Sequence, residues 1–124
     1  MTTASLFSRT TTVLALVTAL CGVACSKDPE RAKIEYLARG DADVKAGNTD
    51  AAIIEYRNAA QQDPRFADAY SRLAAAYLSK GDGGSALHAA TAAADLLPDS
   101  AEAQLAAGHL LLLAMRFDEA KARA

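Results

Sequence analysis

Residues 67–100, ADAYSRLAAAYLSKGDGGSALHAATAAADLLPDS, predict two short amphipathic helices joined by a glycine turn. One face of the first helix carries Tyr70, Leu73, Ala74 and Tyr77. Because a helix has 3.6 residues per turn, these side chains lie on one side and are expected to be buried. The segment GDGG at 81–84 then ends the helix, since glycine readily takes the positive φ found at helix C-termini.

The second helix of this unit is predicted from about Ser85 to Leu97. A seam of small residues runs along it, formed by Ala86, Ala90, Ala93 and Ala94. Small side chains allow two helices to approach closely, so we expect this seam to face the first helix. Pro98 lies just beyond the helix, where a residue without an N–H cannot continue it.

Residues on both sides of this unit repeat its features at a constant interval of 34 residues. The residues that share it are Ala52, Ala86 and Ala120, Pro64 and Pro98, Tyr36 and Tyr70, and Gly47 and Gly81. Gly40 and Gly108 are two intervals apart. Several independent positions therefore indicate one repeating helix–turn–helix unit.

A 34-residue period with this content resembles the tetratricopeptide repeat (TPR). The family pattern places an aromatic residue, Leu-Gly, Tyr, Ala, a second aromatic, Ala and Pro at fixed offsets. The central unit supplies Tyr70, Leu73, Tyr77, Ala86, Ala93 and Pro98, with Ala74 in the glycine place and Ala90 in the second aromatic place. The first unit supplies Tyr36, Gly40, Ala52, Tyr56, Ala59 and Pro64, and the third supplies Gly108 and Ala120. The departures are Arg39 for leucine, Asp43 for tyrosine and Gln104 for the first aromatic.

The resemblance implies an all-α solenoid of stacked helix pairs over residues 31–124, with units at about 33–66, 67–100 and an incomplete 101–124. We expect the first helix at about 30–46, with Asp28 as its cap and Pro29 in its first turn. Thr49 or Asp50 is expected to cap the next helix, which ends near Gln62, and Ser100 to cap the third pair. The last helix is predicted to start at Phe117 and is incomplete at Ala124, so the chain is expected to continue in a longer repeat protein. The alternative is a short protein that dimerises through this end.

Residues 1–24 form a different kind of segment, in which Arg9 is the single charged side chain before the apolar run VLALVTAL at 13–20. This run is too short to span a bilayer and is typical of a secretory signal peptide. It leads into CGVACS at 21–26, which resembles the lipobox of bacterial lipoproteins, although Gly22 stands where leucine is usual. The resemblance implies cleavage before Cys25, lipidation of Cys25 and a spacer over 25–30. Ser26 favours the outer membrane, facing the periplasm.

Two alternatives to lipidation remain open, a plain signal peptide cut near Ala24 and a disulfide between Cys21 and Cys25. A structural disulfide framework needs cysteines spread through the fold, whereas both cysteines lie in or beside the leader.

Composition and motifs favour a binding protein over an enzyme. The net charge of −2 provides no basic field for nucleic acid. His88 and His109 are the two histidines, with no cysteine nearby and no metal-site spacing, so we expect neither a metal nor a cofactor. The sequence contains no GxxxxGK[ST], GxGxxG or GxSxG motif, and no small-molecule substrate is expected.

In the TPR family, the first helices of successive units line a concave groove that binds other proteins or peptides. By that register the groove face consists of Ile34, Leu37, Asp41, Lys45, Asp68, Ser71, Ala75, Leu78, Glu102, Leu105, His109 and Leu112. Leu37 and Asp41 occupy places where chaperone-binding members carry lysine and asparagine, so that activity is not expected. For Leu105 and Leu112, a position in the core between repeats is an equal alternative.

The sequence thus predicts a non-catalytic TPR scaffold at the cell envelope, resembling the opening of larger TPR lipoproteins that act in exopolysaccharide export or secretion. One alternative is that the repeats lead into an enzyme, such as a glycosyltransferase or a protease. Another is self-assembly through the open end.

Overall fold

Five helices follow one another along the part of the chain that the structure describes. The computed structural model covers residues 28–122, and describes side chains over 28–116. The helices are α1 (Pro29–Lys45), α2 (Thr49–Gln62), α3 (Ala67–Ser79), α4 (Gly83–Leu96) and α5 (Ala101–Ala122). Each helix packs against the next, with α1 on α2 and α3 on α4 as the two complete pairs. The predicted all-α architecture of stacked helix pairs is confirmed, whereas the leader and Cys25 lie outside the described residues.

The predicted turns between the paired helices are confirmed. Gly47 has φ +80° and Gly81 has φ +77°, a left-handed conformation that favours glycine. Asp28 caps α1 by accepting a hydrogen bond from the Glu30 N–H at 3.1 Å, and Pro29 is the first helical residue. Ser100 caps α5 in the same way, with the Ala103 N–H 3.3 Å from its Oγ.

Two predicted helix starts are wrong by one or two residues. Helix α2 begins at Thr49, so its cap is Asn48 rather than Thr49 or Asp50. Helix α4 begins at Gly83, two residues before the predicted Ser85. The reason is Asp82, whose carboxylate accepts a hydrogen bond from the Ser85 N–H at 3.0 Å and so caps the helix ahead of the two glycines.

The prediction of a new helix at Phe117 is also wrong, because α5 continues without interruption to Ala122. The interval of 34 residues places Met115 where the earlier units have Gly47 and Gly81. Methionine is a good helix former and avoids positive φ, so it gives the chain no reason to turn. Arg116 likewise replaces the residues that cap α2 and α4, Asn48 and Asp82.

Alanine forms most of the buried core among the described residues. Ala52, Ala59, Ala69 and Ala86 are fully buried, and the predicted seam of Ala86, Ala90, Ala93 and Ala94 is buried as expected. Leu73 and Ala74 are buried beside them, while Tyr70 and Tyr77 are half-buried against the same core. Small side chains bring the helix axes close together. The predicted inward face of α3 is confirmed for Leu73 and Ala74, whereas Tyr70 and Tyr77 are only half-buried because the neighbouring helices do not cover their rings completely.

One departure from the family pattern in the first unit, Arg39, has a local explanation. Arg39, which stands in the leucine place, is exposed and donates from Nε to the Glu55 carboxylate of α2 at 3.0 Å. Its guanidinium also lies over the Tyr36 ring, 4.5 Å from the centroid. A charge pair at the rim of α1 and α2 therefore replaces an apolar contact.

Candidate protein-binding site

One cavity of the groove face lies where α1, α2 and α3 meet. Its volume is about 380 Å³. The lining residues include Asp41, Val44 and Lys45 of α1, Thr49 and Tyr56 of α2, and Arg72, Ala75 and Ser79 of α3. The cavity therefore combines apolar walls with both signs of charge, and lies between the first helices of the two complete pairs.

A polar cluster of three residues forms part of this cavity. The Tyr56 hydroxyl donates to Asp41 Oδ1 at 2.8 Å, and Arg72 Nη1 donates to the same oxygen at 2.7 Å. Tyr56 is only 2% exposed. Its burial raises the pKa of the Tyr56 hydroxyl to about 12, and the adjacent Asp41 carboxylate adds to the increase. The cluster thus connects all three helices and holds the Arg72 guanidinium at the cavity.

A second cavity lies between α3 and α5, with α4 on its third side. Its volume is about 340 Å³, and its residues include Asp68, Ser71 and Arg72 of α3, Leu97 after α4, and Glu102 and Ala106 of α5. Asp68 and Glu102 both lie in the first turn of a helix, where the dipole favours negative charge. Because Arg72 lines both cavities, they form one continuous surface along α3.

A third cavity, of about 480 Å³, lies beside the turn between α3 and α4. Leu78 forms its wall on α3, and Leu110, Leu113 and Ala114 form its wall on α5. This site is largely apolar, so the groove face changes character along α3 and α5 from charged to aliphatic.

Seven of the twelve residues predicted for the groove face line one of these three cavities. Asp41, Lys45 and Ala75 line the first cavity, Asp68, Ser71 and Glu102 the second, and Leu78 the third. Leu37 packs partly against the core, whereas Ile34 and His109 are exposed. Leu105 and Leu112 are 72% and 63% exposed, so among the described residues neither belongs to the core.

Sequence reasoning missed Arg72 and Tyr56, which organise the first cavity. A usable signal for Arg72 exists. Asp41 and Ala75 are equivalent positions in successive units, and Arg72 lies one helical turn before Ala75 on the same face. The long side chain of Arg72 can thus reach the Asp41 carboxylate on the neighbouring first helix. Tyr56 gave no such signal, because its family role is packing and its hydrogen bond to Asp41 depends on the angle between α1 and α2.

Titratable groups are not gathered into a metal-binding set in the part of the chain that the structure describes, where no three His, Cys, Asp or Glu side chains converge. His88 and His109 are both exposed. None of the described helices combines the length and the apolar character needed to cross a membrane.

Comparison with protein families gives a match described as a TPR repeat over residues 40–81. No curated protein matches the chain. The matched range starts at Gly40 in α1, includes α2 and α3, and ends at the Gly81 turn. It therefore contains the first cavity and its Asp41–Tyr56–Arg72 cluster. TPR repeats are typically non-catalytic modules that bind other proteins or peptides, and each helix pair is shielded by its neighbours. Residues 40–81 thus match a TPR repeat, and the described residues form an all-α array of stacked helix pairs that is consistent with a TPR solenoid and supports a role in protein–protein interaction.

Proposed function

We propose that this protein is a lipid-anchored scaffold on the periplasmic side of a bacterial envelope, with the outer membrane as its site. In this role its groove face holds a protein component of a secretion or exopolysaccharide-export machine. The observation that carries the binding part of the proposal is the continuous surface along α3, where two cavities share Arg72.

The exposed apolar side chains of the groove face support a protein partner. Ile34 on α1 and Leu105 and Leu112 on α5 are between 54% and 72% exposed. Exposed large apolar side chains on a surface that also carries charge are typical of surfaces that bind other proteins. Burying them against a partner would contribute about 25 cal/mol for each Å² of apolar area.

A substitution that fills the first cavity should abolish partner binding and leave the fold unchanged. Ala75 is exposed at the first cavity, so Ala75→Tyr would fill the cavity without disturbing the core. Gln62→Tyr is the matched control, because Gln62 is exposed at the end of α2. The partner that co-purifies with the wild-type protein from envelope fractions should be lost with Ala75→Tyr and kept with Gln62→Tyr. Equal recovery with both variants would refute binding at the groove face.

The lipid anchor rests on the leader and on the position of its cysteines. Cys25 follows small residues after an apolar run, and helix α1 begins only four residues later, at Pro29. The several acyl chains attached in this protein class would hold the domain far more firmly than a single chain could. A spacer of this length would keep the groove face close to the membrane surface.

The two cysteines provide a matched pair for testing the anchor. Cells that express the chain would be labelled with radioactive palmitate, and the protein isolated. Cys25→Ser should abolish the label, whereas Cys21→Ser should retain it. Label that persists in Cys25→Ser would contradict the proposed acceptor, and an unlabelled but cleaved wild-type protein would indicate a plain signal peptide.

A further inference from the structure

A fourth cavity, larger than the two charged ones, lies on the opposite side of α3 from the groove face. It has a volume of about 590 Å³, and its α3 residues are Tyr70, Leu73 and Tyr77. Successive residues are rotated by about 100° around a helix with 3.6 residues per turn. These three therefore point away from Ser71, Arg72 and Ala75, and a ligand in this cavity would leave the groove face free.

The walls of this tyrosine cavity come from the second helices of the two complete pairs. Helix α2 and the residues after it contribute Arg57, Ala60, Gln61 and Pro64, and α4 contributes Ser85, His88 and Ala89. The α4 wall is built from residues that are small or exposed, so it does not cover the rings of α3. The opening is thus a consequence of the alanine-rich composition of α4.

The floor of the cavity is amphipathic. Tyr70 and Tyr77 are half-buried against the core on either side of the buried Leu73, and seven residues of helix separate them by roughly 10 Å. Neither tyrosine hydroxyl has a hydrogen-bond partner among residues 28–116. Tyrosines in this state offer apolar area together with a free donor, which is why they are enriched in binding surfaces.

The fixed charge at the rim of the tyrosine cavity is positive. Arg57 is exposed and forms no ion pair with any described residue, and His88 is exposed across the cavity. The lining of this cavity includes no carboxylate, in contrast to the cavity that contains Asp68 and Glu102. The fixed charge and the free tyrosine hydroxyls therefore complement an anion next to apolar groups.

We propose that the tyrosine cavity is a second protein-binding site, which takes an acidic segment of a partner with aliphatic side chains beside its carboxylates. An aliphatic side chain lies on Tyr70, Leu73 and Tyr77. The carboxylate next to it accepts hydrogen bonds from the Arg57 guanidinium, whose planar fork matches a carboxylate. This assignment is independent of the groove face, so the scaffold can hold two partners at once.

A titration with designed peptides tests this site directly. The probes are two 12-residue peptides of alternating Glu-Leu and alternating Lys-Leu, added to the isotope-labelled mature chain and followed by amide NMR shifts. The acidic peptide should shift signals of α2 and α4 around Arg57 and His88, and leave those of the groove face around Asp41 and Lys45 on α1 unchanged. The lysine peptide should produce no shifts at the cavity.

Reversing the charge of Arg57 measures how much this side chain contributes to the affinity for the acidic peptide. Arg57→Glu should weaken binding of the acidic peptide about tenfold or more, because a charge-assisted hydrogen bond is replaced by repulsion. Arg65→Glu is the control, since Arg65 is exposed in the loop before α3, and should leave the affinity within about twofold of wild type. Circular dichroism checks that both variants fold, and Arg57→Gln serves as the second variant. Equal binding of both peptides, shifts at the groove face, no binding, or an unchanged affinity of folded Arg57→Glu or Arg57→Gln would each overturn the proposal.

Discussion

The two complete helix pairs fill the space between their two helices with different side chains at equivalent positions. In the first pair, the large ring of Tyr56 lies directly on Gly40, and side-chain bonds such as Arg39–Glu55 join α1 to α2. In the second pair, the equivalent positions are Ala74 and Ala90, and no side-chain hydrogen bond joins the described residues of α3 and α4. One repeat interval thus accommodates either a ring on a glycine or two alanines, provided that the summed volume fits.

The two pairs therefore differ in how many side chains share the stabilising contact between their helices. The first pair depends on Tyr56, which fills space and also bonds to Asp41, so one side chain carries much of the contact. The second pair distributes its contact over the alanine seam, in which each residue buries little area. Substitutions should therefore have larger effects in the first pair.

The largest effect is expected for Tyr56→Ala. Loss of a buried aromatic ring leaves a cavity and removes the hydrogen bond to Asp41, so unfolding should become easier by about 3–5 kcal/mol. The comparison is Ala90→Gly, which removes one methyl group and some helix propensity and should cost about 1 kcal/mol. Urea denaturation followed by circular dichroism measures both. Equal losses would contradict the contrast between the two pairs.

An intermediate effect is expected for Gly40→Ala. A Cβ at this position would lie 2.6 Å from Tyr56 Cδ1, so the ring or the helix backbone would have to shift, and we expect a loss of about 1–3 kcal/mol. Gly108→Ala is the matched control, two intervals later, where nothing lies within 4 Å and helix propensity predicts a gain of up to about 1 kcal/mol.

A double-mutant cycle sharpens this second prediction. Combining Gly40→Ala with Tyr56→Ala recreates the alanine pair of the second unit, so the penalty for the added methyl group should disappear in the Tyr56→Ala background. A penalty of unchanged size would show that the ring is not the reason for glycine at this position.

The smallest effect at neutral pH is expected for removal of the Tyr56 hydroxyl, which also makes stability depend on alkaline pH. Burial raises the pKa of Tyr56 to about 12, so the folded state keeps the proton between about pH 10 and pH 12 while the unfolded state loses it. The Tyr56 contribution to stability is therefore complete below about pH 10 and is lost as the pH rises to about 12. Tyr56→Phe lacks this loss, and costs about 0.5–1.5 kcal/mol at neutral pH through the missing hydrogen bond.

The measurement here is the difference between wild type and Tyr56→Phe across this pH range. Lys33 and Lys80 also have raised pKa values, through Asp63 with Glu30 and through Asp50 respectively, and their alkaline titration cancels in that difference. A difference that does not change with pH would contradict the burial of the Tyr56 hydroxyl.

Much of the fold followed from the sequence, because the repeat interval marks both the buried faces and the turns. The positive φ of Gly47 and Gly81 and the burial of Leu73 and Ala86 were all predictable from residue type and spacing. The continuous α5 was missed although its signal was present, since Met115 stands in the turn position that glycine occupies in the other units.

The candidate sites were less predictable, for a physical reason. The register placed Asp41 and Ala75 on one face, but the Asp41–Arg72 bond joins residues 31 apart in sequence and depends on how α1 and α3 pack. The tyrosine cavity was missed because the pattern assigns Tyr70 and Tyr77 to the core. The two rings are only half-covered because α4 leaves part of the space above them unfilled. This depends on how the helices pack, so the pattern of one helix does not predict it.

The most direct test of the scaffold is photo-crosslinking from single positions in cells that make the protein. A photoreactive phenylalanine at Leu105 replaces a large, exposed side chain of the groove face, and one at Gln62 lies at the exposed end of α2. We expect a discrete adduct with an envelope protein from position 105 and none from position 62. Adducts of equal yield from both positions, or none from position 105, would contradict binding by the groove face.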